Sequence, residues 1–175
     1  MSLVVRRIPL ATAKHCVELW HRHHDPAINH RWSLGAFLGT ELLGVAMVGR
    51  PVARMLDHNT VVEVNRVATP GVDADPRCRG ACSLLYRACA AEAEKRGFSR
   101  IITYTLEIES GYSLRAARWH PTGRTSGGTW SRDDRPREER PETEGVKIRW
   151  EPRRALVPAA QPRNDLFPGF GGRRG

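Results

Sequence analysis

One segment restricts this chain more than any other: a β-branched run from Thr60 to Ala68, a Thr69-Pro70-Gly71 break, and then Arg77-Cys78-Arg79-Gly80-Ala81-Cys82-Ser83 opening into an Ala-rich helical stretch. A strand that hands over to a helix in this way brings the helix N-terminus to the sheet, with its unpaired backbone N–H groups and the positive end of its dipole. Small residues let an anion approach that backbone, and Arg77 and Arg79 place charge at the same mouth. The arrangement suits a phosphate-bearing ligand. The heptapeptide also reads as the start of an ordinary surface helix with a solvated basic face, so its surroundings have to decide.

Leu84, Leu85, Ala88, Cys89, Ala91 and Ala93 carry the helix from Gly80 to Lys95, and Arg96-Gly97 stops it. Upstream, Leu3 to Ile8 predicts a short strand, and Thr12 is placed to cap a helix that runs to His24 and ends at Asp25-Pro26. Trp32 to Leu38 and Leu42 to Val48 are expected as an antiparallel pair around Gly39-Thr40-Glu41. Downstream come a strand from Ser99 to Leu106, a shorter helix from Ser110 to Trp119, a polar loop from Pro121 to Gly145 and a strand from Val146 to Trp150. The expectation is an α/β (α+β) fold, a mixed sheet of about six strands with flanking helices. A single domain is expected over residues 1–150, with a Pro/Gly/Arg-rich tail, disordered or draped, over 151–175.

The 175 residues hold 28 Lys plus Arg against 19 Asp plus Glu, a formal charge of +9, with Arg far outnumbering Lys. That excess favours polyanionic partners such as DNA, or reflects base composition alone. Arg115, Arg118, Trp119, Arg124, Trp130 and Arg132 interleave cations with aromatics, which suits phosphate contacts and base stacking. The opposing reading is a solvated loop, because Asp133, Asp134, Glu138 and Glu139 neutralise much of it. Cys16, Cys78, Cys82 and Cys89 form no C-x-x-C pair or secreted framework, and every apolar run is too short to span a bilayer. The expectation is a cytoplasmic protein with reduced thiols. His21 and His24 share a helical face at i,i+3 and could hold a metal, Fe(II) for example, with Asp25 or Glu63 completing the shell. The bland alternative is an exposed polar helix end.

The order strand, helix, three strands, cradle and helix, strand, helix, strand resembles that of the GNAT acyl-CoA-dependent N-acyltransferases from about Leu3 to Trp150. Their signature, Arg or Gln, two residues, Gly, one residue, then Gly or Ala, is matched by Arg77-Cys78-Arg79-Gly80-Ala81-Cys82 through Gly80, with Cys82 departing from it. The resemblance implies that Arg77, Cys78, Arg79, Gly80, Ala81, Cys82 and Ser83 hold the pyrophosphate of acetyl-CoA or another acyl-CoA. It further implies that the strands at Thr60 to Thr69 and Ser99 to Leu106 splay, and that Val67, Ala68 and Thr69 pair with the pantetheine. His21-Arg22-His23-His24, Glu63 to Thr69, Thr103-Tyr104-Thr105, Gly111 to Ala117 and a later Gly-Gly-x-Trp look more narrowly like a bacteriophage branch similar to the DNA-modifying protein Mom. That likeness implies adenine in DNA as acceptor, carbamoylmethylated after being flipped from the stack, in a phage-infected bacterial cell. The alternatives are an N-acetyltransferase of a small molecule or protein, and a non-catalytic nucleic-acid-binding module; a homodimer is compatible with any of them.

Acyl transfer to an amine needs a base, a donor to the carbonyl oxygen and a donor to the departing thiolate. Glu63 stands where many family members place the base, or is salt-bridged to Arg66. Strict alternation puts Glu63, Asn65 and Val67 on one face of the strand and Val62, Val64 and Arg66 on the other, so Asn65 could help Glu63 orient the acceptor. Tyr104 could reach the thioester, or is a core tyrosine with one hydrogen bond. The family's usual Asn-x-x-Ala-x-x-x-Tyr on the last helix is missing, leaving Ser113 or Tyr112 in its place.

Overall fold

The computed structural model describes residues 2–20, 29–53, 55–125 and 145–157. Its elements, in chain order, are β1 (Val4–Arg7), α1 (Leu10–Trp20), β2 (Trp32–Leu38), β3 (Glu41–Gly49), β4 (Val61–Ala68), a 3-10 turn at Pro76–Cys78, α2 (Ala81–Lys95), β5 (Arg100–Leu106), α3 (Tyr112–Ala116), β6 (Trp119–Thr125) and β7 (Lys147–Pro152). The seven strands form one sheet in the order β1-β2-β3-β4-β5-β7-β6, one strand more than expected. Every neighbouring pair is antiparallel except β4 and β5.

Two apolar layers sandwich the sheet. Ala81, Leu85, Cys89 and Ala93, one helical turn apart along α2, pack against Leu34, Ala46, Val62, Val64 and Ile101 on one face, with Leu114 of α3 beside them. Ala13, Cys16 and Val17 of α1 cover Val45, Met47 and Ala68 on the other. Helix α2 stops as its sequence dictates: Gly97 turns at φ +83°, its N–H donates to Glu94 O and that of Phe98 to Ala93 O, which carries Phe98 back against Trp32.

Three local expectations give way. Thr12 is no cap, because α1 already starts at Leu10 and Pro9 O accepts from Ala13 N. The expected helix through Trp119 closes at Ala116, and Trp119 begins β6, which takes the first residues of the expected loop from Pro121 into the sheet. Most important for the site, β4 does not alternate. Met47 faces Arg66 and Val48 faces Val64, so Asn65 is an extra residue in a bulge. Past it the phase reverses: Val67 joins Val62 and Val64 on the α2 face, while Ala68 turns to α1.

Candidate active site

β4 and β5 pair over three positions only, Val61 with Arg100, Val62 with Ile101 and Glu63 with Ile102. Beyond that point β4 stays bonded to β3, and β5 to β7 through Thr103–Trp150 to Leu106–Lys147, so the inner edges of β4 and β5 diverge unpaired. Thr103 sits at the fork, where its buried hydroxyl donates to Val64 O at 2.8 Å and satisfies a carbonyl that the diverging ladder leaves open. The result is a slot through the middle of the sheet.

The first turn of α2 lies against the chain at the C-terminal end of β4, where Cys82 meets Thr69. Gly80 takes the N-cap position at φ +81°, a left-handed conformation natural to glycine, and no side chain caps the helix. The leading amides therefore lack both intrahelical and capping partners. The Cys82 thiol donates to Thr69 Oγ1 at 3.9 Å and also bonds Ser113, linking α2, α3 and the chain just beyond β4. Burial pushes that thiol up from its ordinary value. Ser83 Oγ donates to Gly80 O at 2.9 Å. The side chains of Cys78 and Ala81 are buried in the core, so at those positions only backbone faces a ligand. Arg77 is committed elsewhere: its guanidinium pairs with Asp75 at 2.8 Å and with Glu41. Arg79 is exposed.

On the α1 side of the fork stand the remaining polar groups. Glu63 is only 6 % exposed. Val52 N donates to its Oε2 at 2.9 Å, and the Asn65 side chain donates to it as well. Burial outweighs these bonds and raises its pKa above the usual carboxylate value. Tyr104 lies close enough to feel that carboxylate; burial first, and the Glu63 charge second, push the phenol up, while Arg149 bonds it. The structure thus gathers Glu63, Asn65 and Tyr104, and sets Ser113 apart beside Cys82.

The expected nucleic-acid residues do not form one surface. Trp119 is 1 % exposed with its ring 5.5 Å from that of Tyr86, so no base can stack on it. Arg124 pairs with Glu107, and Arg115 reaches Ser110 O while lying over the Trp150 ring. Arg118 is exposed, and Trp130 and Arg132 lie outside the described residues. His21 and His24 lie outside them too; among the described residues no three His, Cys, Asp or Glu side chains come together as a metal site, and no helix is long and apolar enough to cross a membrane. Sequence reasoning missed Val52 and Thr103, whose roles depend on contacts across the fold.

No protein-family model matches the chain, and no curated protein matches its sequence. Solved structures do match its shape. An IAA acetyltransferase from Bacillus cereus is 15 % identical with a TM-score of 0.59, over 86 % of this chain and 99 % of that one. A Bacillus subtilis acetyltransferase in complex with CoA gives the same identity and TM-score over 86 % and 98 %. The ribosomal-protein-S18-alanine N-acetyltransferase of Escherichia coli is 11 % identical with a TM-score of 0.58, over 95 % and 99 %. The chain has the GNAT acetyltransferase fold.

Proposed function

We propose that this protein is an acyl-CoA-dependent N-acyltransferase, with acetyl-CoA as donor and an amine of a small molecule or protein as acceptor. The observation that carries the proposal is the fork: β4 and β5 separate after Glu63 and Ile102, and the uncapped first turn of α2 opens beside the gap. The residues fit such a donor. The turn offers Gly80, Ala81, Cys82 and Ser83 to a pyrophosphate, and the unpaired edge of β4 through Val67 and Ala68 offers peptide groups to the pantetheine amides. When bound, the donor supplies an acyl group activated as a thioester.

Glu63 is the general base. Its raised pKa brings it nearer to the pH at which it must both accept and release a proton. Tyr104, held protonated by burial and by Glu63, donates a hydrogen bond on the same side of the fork. Ser113, bonded to Cys82 at the α2 end, is the second hydroxyl able to protonate a departing thiolate. DNA adenine is the less supported acceptor on this structure, since Trp119 is in the core and Arg124 is paired.

Two measurements test the reading. Acetyl-CoA should raise the melting temperature, and mass spectrometry should find an acetylated amine from a panel of small molecules and peptides. The absence of any thermal shift with several acyl-CoAs would reject it. A modified adenine in DNA from expressing cells, lost in Glu63→Gln, would instead restore the DNA acceptor.

A further inference from the structure

Asn65 carries a polar atom that the protein itself leaves unused. It occupies the β4 bulge, directly after the carbonyl held by Thr103. Its side chain donates to Glu63, which fixes the amide orientation and directs Oδ1 away from the carboxylate. Oδ1 is buried, with no hydrogen-bond donor among the described residues. Its neighbour is another acceptor: Asn65 Oδ1 and the Asn29 carbonyl oxygen lie 2.5 and 1.7 Å from the point where a Gly49 Cβ would stand. Gly49 has to lack a side chain for the two oxygens to meet there. Arg66 Nη1 donates to Asn65 O at 2.6 Å. A buried amide oxygen without a donor is costly, and a ligand that brings one removes the cost.

We propose that Asn65 Oδ1 receives an N–H of the acceptor substrate, so that Asn65 and Glu63 together select an amine nitrogen over a hydroxyl oxygen; this rests on the acyltransfer reading above. An alkylammonium group brings three N–H bonds. One proton passes to the Glu63 carboxylate and from there to solvent. The freed lone pair forms the C–N bond as the C–S bond breaks, a second proton leaves nitrogen for the thiolate, and the last N–H stays on Oδ1 into the product amide. A hydroxyl has a single proton to give and leaves Oδ1 unpaired, a discrimination of roughly 10- to 100-fold. Asn65 is therefore a positioning and specificity residue, with Glu63 as the base.

The test compares n-butylamine with n-butanol as acceptors from acetyl-CoA. Asn65→Leu should lower the amine-to-alcohol ratio of kcat/KM by about 10- to 100-fold, whereas Asn65→Asp, which keeps an oxygen at the position, should retain amine preference. In the wild-type protein, n-butylammonium should shift the Asn65 side-chain amide signals in an NMR titration. An unchanged ratio in Asn65→Leu, or an unmoved Asn65 signal with n-butylammonium, overturns the inference. Should Asn65→Leu fail to fold, the titration of the wild type decides alone. A protein that binds no acetyl-CoA would defeat the acyltransfer reading instead, and the titration would still report on the amine.

Discussion

Burial makes the ionised form of Glu63 costly to the fold. With burial raising its pKa in the folded state, the folded protein binds the proton more tightly than the unfolded chain does. The sign follows: stability falls as pH rises from the ordinary carboxylate pKa through the raised value, and Glu63→Gln should hold or gain stability at neutral pH in urea denaturation. Activity should move the other way. Removing the base should lower kcat by about 10²- to 10⁴-fold, and in the wild type kcat/KM should rise with pH through a midpoint above the ~4.3 of a free glutamate. A midpoint at or below that value would remove Glu63 from the base role. The sequence made Glu63 conspicuous as a carboxylate within a β-branched run, but its partner Val52 lies on a loop eleven residues earlier, and no local pattern links the two.

At the scale of elements, the fork and the α3 junction each depend on one contact. Thr103→Val keeps the shape and removes the hydroxyl from Val64 O, so it should cost about 1–2 kcal/mol, read from the denaturant midpoint. Gly111 precedes α3 at φ +62°, and a Cβ there would come within 2.5 Å of the Trp150 ring. Trp150 is buried and its Nε1 is fixed to Thr105 Oγ1 at 2.9 Å, so the ring has little freedom to yield. Gly111→Ala should therefore cost about 2–4 kcal/mol, again measured by denaturation. Elements written in local residues were legible: the β2–β3 hairpin at Gly39, and α2 with its small-residue stripe and Gly97 stop. β6 was not, because Pro121 and Gly123 imitate a turn; as the outermost strand of the sheet it tolerates both, with a register irregularity between them. The β4 bulge was equally hidden, since nothing in Val61 to Ala68 says which residue will find no partner.

Over the whole molecule, the sheet is nearly two sheets. β1 to β4 form one antiparallel half and β5, β7 and β6 the other, with three residue pairs of parallel ladder and the packing of α2 between them. A donor lying in the gap would bind folded chain only, stabilising it by about 2.7 kcal/mol at a hundredfold excess over Kd. Amide hydrogen exchange should then slow at Asn65 to Ala68 and at Tyr104 to Leu106 together; slowing on one strand alone would contradict a ligand seated between both. The short ladder also gives the protein a seam. Without ligand, the half built from β5, β7 and β6 should open as its own cooperative unit, below the free energy of global unfolding. A molecule filling the gap acts as the strand the sheet lacks, and makes one mechanical body out of two.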